Sequence, residues 1–165
     1  MNKTKLYVIK DDETSCGFHP NFFFGCNSLK YRVSFNENCL FYFSDNFVNR
    51  LFGITYGLHS MQESVNFGWN VDVYRKNIEI FAVCYKLGKC YTQKLTTISA
   101  NVDYLFEVKT FEAFYQLRIV NINKEIIGWA NIQKPKTVNC GYKLFPRLGG
   151  KRMAFDDMCI KMTKQ

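Results

Sequence analysis

An all-β domain, two antiparallel sheets packed as a sandwich with at most one short helix, is the architecture this sequence predicts. Three observations predict it. Sixteen Phe, ten Tyr and two Trp make up 17% of the 165 residues, and aromatic side chains favour pleated, half-buried surfaces. Short apolar-polar runs recur along the chain, separated by Asn, Gly and Asp, which is the pattern of strands and tight turns. Apolar residues at helical spacing are nearly absent. A hydrophobic share of 47% and a charged share of 22% exclude intrinsic disorder. The length fits one domain, residues 1–165, large enough to bury roughly 70% of its unfolded surface.

In chain order the strands expected are Lys5–Lys10, Leu29–Phe35, Cys39–Phe43, Phe52–Leu58, Ser64–Asn70, Ile78–Lys86, Lys89–Leu95, Val102–Thr110, Phe114–Asn121, Glu125–Gln133, Gly141–Phe145 and Asp157–Met162. So many strands in one domain imply two packed sheets or a closed barrel. Two joins read as hairpins. Tyr85-Lys86-Leu87-Gly88-Lys89-Cys90 places a glycine where a tight reversal wants positive φ, and Asn121-Ile122-Asn123-Lys124 offers two Asn that tolerate the left-handed region. The helical candidate is a single turn at Asp45–Leu51, capped by Ser44 or Asp45. No repeat, low-complexity tract or Pro-rich joint divides the chain.

Period-two alternation sorts side chains by face. On Phe114–Val120, Tyr115, Leu117 and Ile119 form the core set, with Phe114, Gln116, Arg118 and Val120 opposite. On Phe52–His59, Phe52, Ile54, Tyr56 and Leu58 point to the core and Gly53, Thr55, Gly57 and His59 away from it. On Val65–Val71, Val65, Phe67, Trp69 and Val71 are apolar, and Asn66, Gly68 and Asn70 face away. Glycines within strands mark bulges or the close approach of a ligand or backbone, so Gly53, Gly57 and Gly68 mark bulges where curved strands cross or, as the functional alternative, a groove.

The excess of 22 basic over 14 acidic residues, a formal charge of +8, attracts anionic partners over long range. Its local concentrations lie at Lys134-Pro135-Lys136 and Lys143–Arg152, and no run of five appears. This suits a polyanion, a small anionic ligand or simply a basic surface. The longest apolar runs, at Phe22–Phe24 or Ile80–Tyr85, are far short of the roughly 20 residues of a membrane helix, so no membrane partner is expected. The apolar stretch Leu6–Ile9 is too short for a signal-peptide core. Seven cysteines, an odd number without a C-x-x-C pair, read as reduced thiols in a cytoplasmic protein. Cys84 and Cys90 flank a hairpin and are placed to face each other.

Tyr142-Lys143-Leu144-Phe145-Pro146, then Gly149-Gly150, then Ala154-Phe155-Asp156-Asp157-Met158-Cys159-Ile160 resembles the closing segment of concanavalin A-like β-sandwich jelly rolls, a fold of short bacterial and phage proteins and of some glycan-active enzymes. Phe52-Gly53-Ile54-Thr55-Tyr56-Gly57-Leu58-His59 and Phe67-Gly68-Trp69 give a fainter second match. Leu148, Lys151 and Phe155 or Asp156 depart from the family pattern, which has an aromatic before the paired Gly, an acidic or amide residue after it and a His before the Asp. The resemblance implies a jelly roll with a concave ligand-binding sheet.

Glycoside hydrolysis needs two carboxylates across the scissile bond, and no E-x-D-x-x-E or E-x-x-x-E pattern is present. A polysaccharide lyase needs a Tyr or His base and cations, for which His59, Tyr115, Gln116 and Arg118 are the residues at hand. Two histidines, His19 and His59, cannot build a three-His zinc site, and Gly149-Gly150-Lys151 lacks phosphate-loop spacing. No catalytic residue, metal or cofactor is therefore assigned. Binding fits better: Trp69, Tyr85 and Trp129 are candidate stacking platforms, and His59, Asn66, Gln116 and Arg118 candidate polar contacts. Against these stand plainer roles, core packing for Trp69 and Trp129, a solvated charge for Arg118 and a turn-side ring for Tyr85. The leading expectation is a non-catalytic glycan-binding sandwich. The alternatives are a phage-type cytosolic protein sequestering an anionic nucleotide, a self-associating assembly module, and a lyase-like enzyme.

Overall fold

The computed structural model describes residues 4–17, 21–24, 28–41, 47–56, 63–72, 74–134, 140–150 and 153–165. The strands are β1 (Thr4–Ile9), β2 (Phe22–Phe24), β3 (Ser28–Phe35), β4 (Asn49–Tyr56), β5 (Glu63–Asp72), β6 (Asn77–Lys86), β7 (Lys89–Ile98), β8 (Tyr104–Thr110), β9 (Phe114–Val120), β10 (Ile126–Gln133), β11 (Cys140–Leu144) and β12 (Met158–Lys164). They form two six-stranded sheets, ordered β1-β12-β3-β8-β9-β10 and β2-β11-β4-β5-β6-β7. Every strand pair is antiparallel. The expected sandwich is the observed fold, and the barrel alternative is set aside because the two sheets keep separate edges.

Alternation places the core. Val65, Phe67, Trp69 and Val71 of β5 point inward from the second sheet, and Tyr115, Leu117 and Ile119 of β9 point inward from the first, all buried. Aromatic rings join the layers. Phe67 meets Phe106 edge-on at a centroid distance of 5.0 Å and 88°, Trp69 meets Phe35 at 5.4 Å, and Phe52 meets Tyr31 at 4.9 Å. Edge-to-face pairs of this kind contribute about 0.5–1.5 kcal/mol beyond the area they bury.

Several local expectations change. The strand expected at Cys39–Phe43 begins instead as a 3-10 turn over Glu37–Leu40, because Cys39 turns inward and donates its thiol to the Asn36 side chain at 3.2 Å. The helical turn expected at Asp45–Leu51 is not formed where it is described: residues 49–51 already pair within β4. Strand β2 carries no alternation long enough to announce it and exists by pairing with β11. At the second hairpin the left-handed residue is Lys124, with φ 65°, rather than an Asn. Asn121 instead closes the turn, accepting from the Glu125 N–H at 2.9 Å and donating to its carboxylate at 2.8 Å. The β6–β7 turn behaves as read, with Leu87 and Gly88 both at positive φ, the geometry that matches strand twist.

Register also corrects the thiol pairing. Tyr85 stands opposite Cys90 and Cys84 opposite Tyr91, so Cys84 and Cys90 project from opposite faces, and both are free thiols. Among the described residues no helix is long and apolar enough to cross a membrane.

Two outcomes test this packing. Phe67→Ala removes a ring shared by Phe52 and Phe106 and is expected to cost about 3–5 kcal/mol, read from the urea midpoint. Gly53→Ala places a methyl carbon 2.2 Å from the Val65 carbonyl oxygen and 2.3 Å from Asn66 Cβ, so a loss of about 1–3 kcal/mol is expected in the same measurement.

Candidate functional site

The outer face of the second sheet carries a cup of about 500 Å³. Its floor is Ser64 and Asn66 of β5, with Arg50 of β4 and Val83 and Tyr85 of β6; the segments at 47–48 and 144–150 form its wall. Val83 and Leu144 are buried yet lie apart from the core between the sheets, because they pack into this cup.

A bulge aims Arg50. Residues two apart in a strand share a face, so Arg50 would follow Phe52 into the core. The register slips between Arg50 and Phe52, burying Leu51 beside Phe52 and turning Arg50 outward, as bulges beside binding sites do. The guanidinium then donates from Nε to the Phe145 carbonyl at 3.0 Å. An isolated bridge holds the wall to the floor: the Arg50 N–H donates to the Arg147 carbonyl at 2.8 Å, and the Arg147 N–H returns to the Arg50 carbonyl at 3.0 Å. Buried Asn49 accepts the Gly149 N–H at 2.9 Å. Gly149 is required there, since a Cβ would sit 2.7 Å from the Val48 carbonyl oxygen.

The glycines of the sheet do not hollow the face in the way the sequence suggests. The space over Gly53 is taken by Asn66, and that over Gly68 by Val48 and Val83. The cup opens beside these positions, between β5, β6 and the wall. Gly57 lies outside the described residues.

Two groups in the cup are perturbed. Burial pushes the Tyr85 phenol up to about 12, with Cys90 adding to the effect and Arg50 opposing it. Burial pulls Arg50 down to about 10, with the neighbouring Arg147 lowering it further. At neutral pH Tyr85 is therefore a neutral hydroxyl and Arg50 a cation. The described lining contains no Asp or Glu, and no group of three His, Cys, Asp or Glu suited to a metal occurs among the described residues.

The seven residues singled out from the sequence fall into separate places. Asn66 and Tyr85 meet in the cup. Gln116, Arg118 and Trp129 lie on the outer face of the other sheet, where Trp129 pairs with Arg118 and Asn131 with Gln116 across β9 and β10. There Trp129 is 58% exposed, Arg118 is paired with Glu107, and Gln116 donates to Asn131 at 3.3 Å. Trp129 is thus a surface ring and not a core residue. Trp69 is fully buried between the sheets and presents no face to a ligand. His59 lies outside the described residues, as does His19. The lyase group drawn from Tyr115, Gln116 and Arg118 is not assembled either, since Tyr115 points into the core while the other two point out. Sequence reasoning missed Arg50, Ser64 and Arg147. Ser64 was legible by extending the Asn66 alternation one step, whereas the bulge conceals Arg50 and the loop bridge conceals Arg147.

No protein-family model matches the chain, and no curated protein matches it. Solved structures do. A functionally unknown protein from Saccharomyces cerevisiae superposes with a TM-score of 0.59 at 8% identity, covering 98% of this chain and 85% of that one. An alginate lyase gives 0.60 at 10% identity, covering 96% and 71%. A glycosyl hydrolase family protein from Mycobacterium fortuitum gives 0.51 at 10% identity, covering 97% and 74%. At such identities the likeness establishes the fold: this chain is a two-sheet β-sandwich of the kind also used by carbohydrate-active proteins.

Proposed function

We propose that the protein is a carbohydrate-binding sandwich whose ligand occupies the cup on the outer face of the second sheet. The observation that carries this reading is Asn66. Its side chain is 2% exposed, lines the cup and makes no hydrogen bond to a described residue. A carboxamide offers both donors and an acceptor to the cup, and sugar hydroxyls complement both. Ser64, Tyr85 and Thr92 add hydroxyls around it, and a cup of this size suits a small ligand. The concanavalin A-like resemblance of the closing segment and the lyase and hydrolase among the proteins sharing the fold agree with such a ligand. Binding rather than turnover is favoured by a described lining without the carboxylate pair that glycoside hydrolysis needs.

Calorimetric titration against an oligosaccharide panel tests the assignment. Asn66→Ala is expected to weaken the best ligand about tenfold, the equivalent of one charge-free hydrogen-bonding group. Trp129→Ala, on the opposite face, leaves affinity unchanged. An unaffected Asn66→Ala, or silence across the panel, overturns the reading.

The Tyr85 environment is tested by pH titration of the phenolate absorbance, parent against Tyr85→Phe. The missing phenolate is expected to be one that appears near 12. The unfolded phenol ionises first, near 10.0, so the stability Tyr85 contributes is whole below that pH and is lost as pH rises from 10 to 12.

A further inference from the structure

The carbohydrate reading leaves one feature of the cup unexplained, a pair of arginines with no anion beside them among the described residues. Arg50 and Arg147 are locked together by the two backbone hydrogen bonds of their bridge, and both line the cup. The ion pairs among the described residues, Arg75 with Asp72, Lys94 with Glu79 and Arg118 with Glu107, lie elsewhere. Arg50 uses its Nε on the Phe145 carbonyl, which fixes the plane of the guanidinium and leaves its terminal N–H groups without a partner among the described residues. Two like charges held side by side, one of them half-buried, destabilise the empty fold. A surface evolved only for solubility has no need of that arrangement, whereas an anion placed between the two guanidiniums converts the repulsion into charge-assisted hydrogen bonds.

We infer that the ligand carries a carboxylate, received by Arg50 and Arg147, so that the occupant of the cup is an oligosaccharide containing uronic acid. The inference rests on the carbohydrate reading and narrows it. The planar fork of a guanidinium matches a carboxylate in two parallel bonds. The rest of the described polar lining is uncharged: Ser64, Asn66, Tyr85 and Thr92 face the cup with hydroxyl and amide groups suited to the ring hydroxyls of the same sugar. The depressed ionisation of Arg50 agrees with a charge kept away from water and from any acidic neighbour. The cup therefore divides into a cationic end against the 144–150 wall and a neutral hydrogen-bonding end over β5 and β6.

The experiment compares an oligouronate with the same oligomer after chemical reduction of its carboxyl groups, by calorimetry, with a nucleoside monophosphate as a third probe. The oligouronate is expected to bind at least tenfold more tightly than its reduced form, and more weakly as salt is added. Arg50→Gln and Arg147→Gln are each expected to lose about tenfold towards the oligouronate and little towards the reduced oligomer. Arg50→Gln should melt at or above the parent temperature, because it removes an unpaired, half-buried charge; should it fail to fold, the exposed Arg147→Gln carries the test alone. Equal affinity for the two oligomers overturns the carboxylate assignment and leaves the carbohydrate reading standing. Binding of the nucleotide with neither oligomer bound overturns both.

Discussion

The contact on which this fold depends is the wedge of rings between its two sheets. Phe67 and Phe52 on one side interleave with Phe106 and Tyr31 on the other, and Trp69 meets Phe35 at the same depth. Packed sheets stand about 10 Å apart, a gap that large rings set edge-to-face can fill. Once the odd-numbered residues of β5 are committed inward, Ser64, Asn66 and Gly68 are committed outward by the two-residue period of the strand. The candidate site is thus a consequence of the core: the inward claim of Val65, Phe67 and Trp69 leaves a short polar strip on the opposite face.

A flat strip does not make a cup, and the concavity comes from breaks in regularity. The slip between Arg50 and Phe52 adds a residue to β4, buries Leu51 and lifts a cation out of the core. The 147–150 segment then folds against residues 47–50, tied by the Arg50–Arg147 bridge and by Asn49. Gly149 and Gly150 allow that approach, the latter at φ 65° under the Phe47 ring. The paired glycines serve backbone against backbone, and their contribution to the site is the wall they permit. The cost of a largely buried cation at Arg50 is tolerable because the ring wedge stabilises the sandwich beneath it. Sites commonly hold such local costs against a stable scaffold.

Much of the architecture was legible one residue at a time. Aromatic content and period-two alternation identify the fold class, most of the strands and the inward sets of β5 and β9, because these depend on neighbours in sequence. Gly88 announces its turn for the same reason. The failures share a different cause. Strand β2 forms because β11 offers an edge, the Cys39 segment turns because Asn36 and Cys39 are both tied to Cys159 of β12, and residues 49–51 extend because β5 pairs with them. Each is decided by a partner remote in the chain.

The candidate site divides along the same line. Alternation correctly assigns Asn66, Gln116 and Arg118 to outward faces, yet it does not say which of two sheets a strand joins, and so residues on opposite surfaces of the molecule look equivalent when read along the chain. The amino-acid order by itself determined an all-β fold, the turn at Leu87-Gly88 and the inward sides of β5 and β9, since these follow from backbone geometry and solvation within a few residues. The tertiary structure alone decided that Arg50, Asn66, Tyr85 and Arg147 share one cup while Trp69 is sealed in the core and Trp129 sits on the far face. The reason is physical: strand order, the bulge in β4 and the closing loop are set by contacts between segments as many as 159 residues apart, and no local period encodes them.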